Sequence, residues 1–260
     1  MLLRRSQKKY NSREKVVNME IMKLIKSMIL VMAVVFTTTV NARTGTNQSL
    51  TAQQRAIVRI AAITGKGDLE KLKTELNAGL EAGLTVNQIK EVIVHVYAYA
   101  GFPRSIRGLQ TFMSVLDERK TKSINDVMGA EASPIEDERS KYDRGKAILE
   151  ELTGVSETGP KTGYSAFAPT IEIFLKEHLF ADIFERDVLS YTERELATVS
   201  VLSSIGGVEP MLRSHLNLCL NVGLTPDQLQ QLVDVIKKAV GRKEAQAAQK
   251  ILDEILNSKK

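Results

Sequence analysis

The chain repeats itself. Glu81-Ala-Gly-Leu-Thr85 returns as Asn221-Val-Gly-Leu-Thr225, and the same register sets Ile89 over Leu229, Val92 over Leu232 and Gly101 over Gly241. Upstream, Arg55 falls over Arg194 with one residue gained in the Gly-containing turn between. Helical segments recurring in the same order mark an internal duplication, and a unit this small leaves its apolar faces uncovered. The two copies are therefore expected to pack against each other.

Within each copy the apolar spacing is helical, and no convincing strand alternation follows residue 50. Thr51 is expected to cap a helix to about Ile63, stopped at Gly65-Lys-Gly67, and a second runs from Asp68 to about Ala82. Thr85 caps a third, whose Ile89, Val92, Ile93 and Val96 share a face. Gly101-Phe-Pro103 should break the chain before a fourth helix that reaches Leu116. In the second copy the corresponding helices start at Leu189–Thr192, Glu209, Thr225 and about Lys243. Residues 119–165 are polar and punctuated by Gly and Pro, with one short helix near Tyr142–Leu152. The expected fold is all-α, with a first unit over 50–118, a connector over 119–169 and a second unit over 170–258.

The net charge of +5 is concentrated at the start. Residues 1–42 hold eight of the 36 Lys and Arg and two of the 31 Asp and Glu, which leaves 28 basic and 29 acidic side chains beyond them. With no basic stripe in that near-neutral body, nucleic acid is not an expected partner. Lys23 and Lys26 precede the apolar run Met28–Phe36, and Val40 and Ala42 fit the positions before a signal-peptidase cut. Residues 1–42 thus read as a signal peptide, with Met19 or Met22 as alternative starts. The run is far short of the ~20 residues that span a bilayer. The expectation is a periplasmic or secreted protein that has no membrane association once cleaved. Its single cysteine, Cys219, offers no intramolecular disulfide.

Leu84-Thr-Val-Asn-Gln-Ile-Lys-Glu91 followed by Tyr97-Ala-Tyr-Ala-Gly-Phe-Pro103 resembles half of the carboxymuconolactone decarboxylase signature. Arg194-Glu-Leu196, Arg213-Ser-His215 and Val222-Gly-Leu-Thr225 resemble the other half, and Leu179–Leu189 resembles the segment leading into the unit. The resemblance covers about 50–116 and 170–256. It implies a tandem version of the helical fold shared with alkyl hydroperoxidase D-like proteins. It also implies a closed homo-oligomer, and two units per chain make a trimer the expected form. In the peroxidase branch a Glu and a His flank two cysteines; here Glu195 and His215 stand at the outer positions, but Val208 and Met211 take the cysteine places. Without thiolates there is no nucleophile for disulfide exchange.

The copies have diverged in a complementary way. Copy one carries Ala56 and Glu75 where copy two carries Glu195 and His215; copy two carries Lys237 and Ala239 where copy one carries Tyr97 and Tyr99. A composite site follows. His215 lies at the edge of the stripe formed by Leu212, Leu216, Cys219 and Leu220, and a partly buried imidazole beside a carboxylate can carry a proton at neutral pH. His215 and Glu195 are the expected catalytic pair, with His95 and Tyr99 lining the substrate side and Arg194 or Arg213 holding a substrate carboxylate. Cys219 reads as small and buried, and His178 as a surface residue. The histidines lack metal-ligand spacing, so neither metal nor cofactor is expected. The leading expectation is acid–base chemistry, decarboxylation or isomerisation, on a small organic acid or lactone. A peroxidase-like antioxidant oxidoreductase and a non-catalytic helical ligand-binding protein stay open beside it.

Overall fold

The computed structural model describes residues 49–258, so the expected signal peptide over 1–42 lies outside the described residues. The first copy comprises α1 (Ala52–Lys66), α2 (Leu69–Glu81) and α3 (Val86–Thr121). The linking region holds α4 (Lys141–Thr153), α5 (Gly163–Phe167), α6 (Pro169–Phe174) and a π-helical segment, Leu175–Phe184. The second copy comprises α7 (Tyr191–Ile205), α8 (Glu209–Asn221), α9 (Pro226–Ala239) and α10 (Arg242–Ser258). The described residues are all-α, with no strand among them.

The shared Gly-Leu-Thr corner has a physical explanation. Gly83 and Gly223 end their helices at φ 90° and 97°, a left-handed conformation that costs glycine no Cβ clash. The next amide then turns back: Leu84 N–H donates to Gly79 O at 3.0 Å, and Leu224 N–H to Cys219 O at 2.9 Å. Both leucines are buried, and the threonine that follows caps the next helix. Thr85 with Gln88, and Thr225 with Gln228, form complete capping boxes. Three residues thus stop one helix, anchor the corner and start the next.

The expected break at Gly101 is a kink. A single helical run continues from Val86 to Thr121, five residues beyond Leu116, and only Gly101 leaves helical geometry (φ 80°, ψ 162°). Pro103 sits in the first turn after the kink, where a missing N–H costs little. Ser105 Oγ donates to Ile93 O at 2.8 Å across the bend.

The two copies share one core. α1 and α7 cross at its centre so closely that a Cβ on Gly65 would lie 2.8 Å from Val201 Cγ2. Around this crossing the copies make the same polar contact twice. Arg55 Nη2 donates to Gln231 Oε1 at 2.9 Å, and its counterpart Arg194 donates to Glu91, the counterpart of Gln231, at 2.8 Å. The duplicated halves thus meet reciprocally, as in an isologous dimer joined into one chain.

The connector is more structured than its composition implies. Ile148 and Leu152 of α4 join Leu179, Phe180, Ile183, Phe184 and Leu218 in a second small core. Val127 and Met128 carbonyls accept the first amides of α3, from Val86 and Asn87, at 2.9 Å each. Gly145 permits α4 to dock, since a Cβ there would lie 1.9 Å from the Lys176 carbonyl oxygen. Replacing Gly145 by Ala is expected to cost about 2 kcal/mol through overpacking. At about 2–4 °C per kcal/mol for a domain of this size, calorimetry should read a melting point lower by about 6 °C.

Candidate active site

The site is assembled from three helices of both copies. α8 sets His215 half-buried at the edge of its apolar face, and α7 sets Glu195 beneath it with no exposed surface. His215 Nδ1 lies 2.8 Å from Glu195 Oε2. A carboxylate only accepts, so this contact places a ring hydrogen on Nδ1 and turns Nε2 away from Glu195. The second oxygen, Glu195 Oε1, is buried without a hydrogen-bond partner. A buried polar atom left unpaired is costly.

The first copy supplies the facing wall. Tyr99 meets the His215 ring edge-on, with centroids 5.9 Å apart, and lies 5.4 Å from the His95 ring. Burial, and then the negative charge of Glu195, push the Tyr99 phenol well above its ordinary range, so it stays protonated. His95 has no exposed surface. Its Nε2 lies 2.8 Å from Thr198 Oγ1 and its Nδ1 3.4 Å from Arg194 Nη1. Burial first, then Arg194 and His215, drive its pKa well below the usual histidine range, so it is neutral. Phe184, from the π-helical segment, covers it at 5.2 Å.

The structure therefore brings His215, Glu195, Tyr99 and His95 into one cluster, with His95 wholly buried against Tyr99. The two arginines expected to hold a substrate carboxylate are engaged otherwise. Arg194 is wholly buried, donating to Glu91 Oε1 at 2.8 Å and to the Arg186 carbonyl at 2.6 Å. The physical reason is Glu91, a carboxylate only 4% exposed that needs an opposite charge beside it. Arg213 pairs with Glu254 of α10 on the outer surface. Tyr97 lies apart, stacked on Phe102 at 4.5 Å. His178 is exposed and bonded to Asp182.

Cys219 has no exposed surface, and burial and the nearby Glu195 push its thiol well above the ordinary range. A nucleophilic cysteine needs the reverse environment. Under native conditions Ellman's reagent should leave this thiol unmodified over the time in which unfolded protein reacts fully. Fast labelling of the folded chain would contradict its burial.

Thr198, Glu91 and Phe184 belong to the cluster without having been foreseen. The structure shows what joins them: from Arg194 to Ser204 every residue of α7 is buried, polar ones included. Polar side chains in such a helix have to satisfy one another. Elsewhere, a cleft of about 280 Å³ between α4, α6 and the π-helical segment is lined by Tyr142, Lys161, Glu172 and Lys176, among others. The charges of this cleft are matched internally, Lys176 Nζ reaching Glu172 Oε1 at 2.5 Å and Tyr142 Oη at 3.2 Å, and Lys161 Nζ reaching Glu172 Oε2 at 2.6 Å. Among the described residues no three His, Cys, Asp or Glu side chains are placed to hold a metal ion.

Fold and site together define a class: a tandem all-α protein with a histidine–carboxylate pair held between its halves. The chain belongs to the carboxymuconolactone decarboxylase family, whose profile matches residues 33–112 and 169–254. It is also 25% identical over 119 residues to the 4-carboxymuconolactone decarboxylase of Acinetobacter baylyi, across 45% of this chain and 88% of that relative.

Proposed function

We propose that the chain is an acid–base enzyme that removes a carboxyl group from, or moves a double bond within, a small organic acid or lactone. The observation that carries this reading is the 2.8 Å contact from His215 Nδ1 to the buried Glu195, which leaves Nε2 free to take and return a proton beside the Tyr99 phenol. In isomerisation, Nε2 would accept a proton from the carbon next to a carbonyl, the C–H electron pair would move into the enolate, and the imidazolium would return the proton further along the conjugated system. In decarboxylation, the electron pair of the breaking C–CO2 bond would enter the same conjugated system, and His215, protonated at Nε2 from solvent, would deliver that proton to carbon. In either case the substrate's own carbonyl accepts the electrons, so the chemistry requires no cofactor. The decarboxylase named among the relatives supports the substrate class.

We also read residues 1–42 as removed on export, with the mature chain periplasmic or secreted and assembled as a homo-oligomer, a trimer. N-terminal sequencing of the exported chain and light scattering test these two points. Among the described residues no helix is long and apolar enough to cross a membrane.

Proton NMR in deuterium oxide tests the chemistry, with the protein mixed with unsaturated lactones and their carboxylated derivatives. Deuterium appearing next to a carbonyl, or loss of the carboxyl carbon as carbon dioxide, is the expected result. Compounds that bind yet undergo neither change would overturn the reading and leave a ligand-binding protein.

A further inference from the structure

Arg194 is fixed from two sides, by Glu91 and by the Arg186 carbonyl, and it directs Nη1 at His95 Nδ1. A guanidinium carries hydrogens and no acceptor, so Nδ1 presents a lone pair and the hydrogen of the neutral ring sits on Nε2. Nε2–H then donates to Thr198 Oγ1 at 2.8 Å. The threonine hydroxyl has one hydrogen and two acceptors in reach, the Arg194 carbonyl at 2.9 Å and the Tyr99 hydroxyl at 3.2 Å. In the first setting, Thr198 donates to the carbonyl; Tyr99 then donates back to Thr198 and shows the site only lone pairs. In the second, Thr198 donates to Tyr99, and the phenol hydrogen is free to point at the site.

We propose that Thr198 is a positioning residue that sets whether Tyr99 faces the site as a hydrogen-bond donor or acceptor. This inference rests on reading the cluster as an acid–base centre. Negative charge developing on a substrate oxygen favours the second setting, in which the phenol donates to it. His95 touches no substrate; it occupies one lone pair of Thr198 and so leaves the hydroxyl only these two arrangements.

The other half of the molecule provides an internal comparison. The counterpart of Thr198 is Arg59, which lies 2.6 Å from Glu75, the counterpart of His215. Where the catalytic pair is missing, the hydroxyl is missing too, and an ion pair takes its place.

The test is NMR of protein labelled with nitrogen-15 in its three histidines and carbon-13 at the tyrosine Cζ, with Tyr99→Phe and His95→Gln assigning the signals. His95 should carry its hydrogen on Nε2 and stay neutral from about pH 5.5 to about pH 8.5, across the range where ordinary histidines titrate. Thr198→Val should shift both the His95 Nε2 and Tyr99 Cζ signals, and Thr198→Ser should restore them. Thr198→Ala serves in the same role if the valine variant does not fold. A hydrogen on His95 Nδ1, or a Tyr99 signal unmoved by loss of the hydroxyl, would overturn the proposal. These readings need no substrate, so they stand or fall separately from the proposed reaction. With a substrate in hand, Thr198→Val should lower kcat about 10-fold with KM changed by less than about 2-fold, as expected when a catalytic group is misdirected and not removed. An equal loss in Thr198→Ser would count against it.

Discussion

Replacing His215 by Gln should lower kcat for any substrate the protein turns over by about 1,000-fold, with KM changed by no more than a few-fold. Positioned proton transfer contributes about 10²–10⁴-fold, and neither His95 nor Tyr99 can substitute as the base. His95 is buried with both nitrogens engaged, and the Tyr99 phenol is held protonated. Glutamine fills similar space at the edge of α8, so near-ultraviolet circular dichroism and the melting point should stay close to those of the parent. Glu195→Gln should cost about 100-fold, because an amide can hold the ring but stabilises an imidazolium less well than a carboxylate. Steady-state kinetics of the two variants decide the matter. A His215→Gln protein with undiminished kcat would place the chemistry elsewhere.

Glu91→Gln has the largest expected effect on stability, about 4 kcal/mol. Arg194 is wholly buried and retains its charge at any accessible pH, so removing its partner charge leaves a cation with no compensation in the interior. Breaking a buried pair by removing one member typically costs about 3–5 kcal/mol. Arg186 also contacts Glu91, but its side chain is 39% exposed, and Arg186→Gln should cost less than about 1 kcal/mol. Urea denaturation of the two variants provides the comparison. Similar losses in both would mean that the pair does not act as a buried one. The same pair explains why Arg194 is a poor anchor for a substrate carboxylate: drawing it away would expose this cost.

What the sequence made legible was largely local. Thr85, Gln88, Thr225 and Gln228 announce helix starts through contacts three residues apart, and Gly83 and Gly223 announce stops, so the repeated helices could be placed to within a few residues. The His215–Glu195 pair could also be inferred, because the duplication shows which positions changed together. Contacts between distant positions were hidden. Thr198 meets His95 and Tyr99 across about one hundred residues, and nothing near Thr198 distinguishes it from a helical threonine bonded to its own backbone. Arg194 reads as a substrate ligand in isolation and becomes structural only when Glu91 arrives from the other copy. The π-helical turn escaped for another reason: its widened hydrogen-bonding leaves no distinct residue pattern, yet it brings Phe184 against His95.

The halves meet reciprocally, yet only the second carries the histidine–carboxylate pair. Under the proposed chemistry neither half would work alone, because His215 and Glu195 reside in one and Tyr99 in the other.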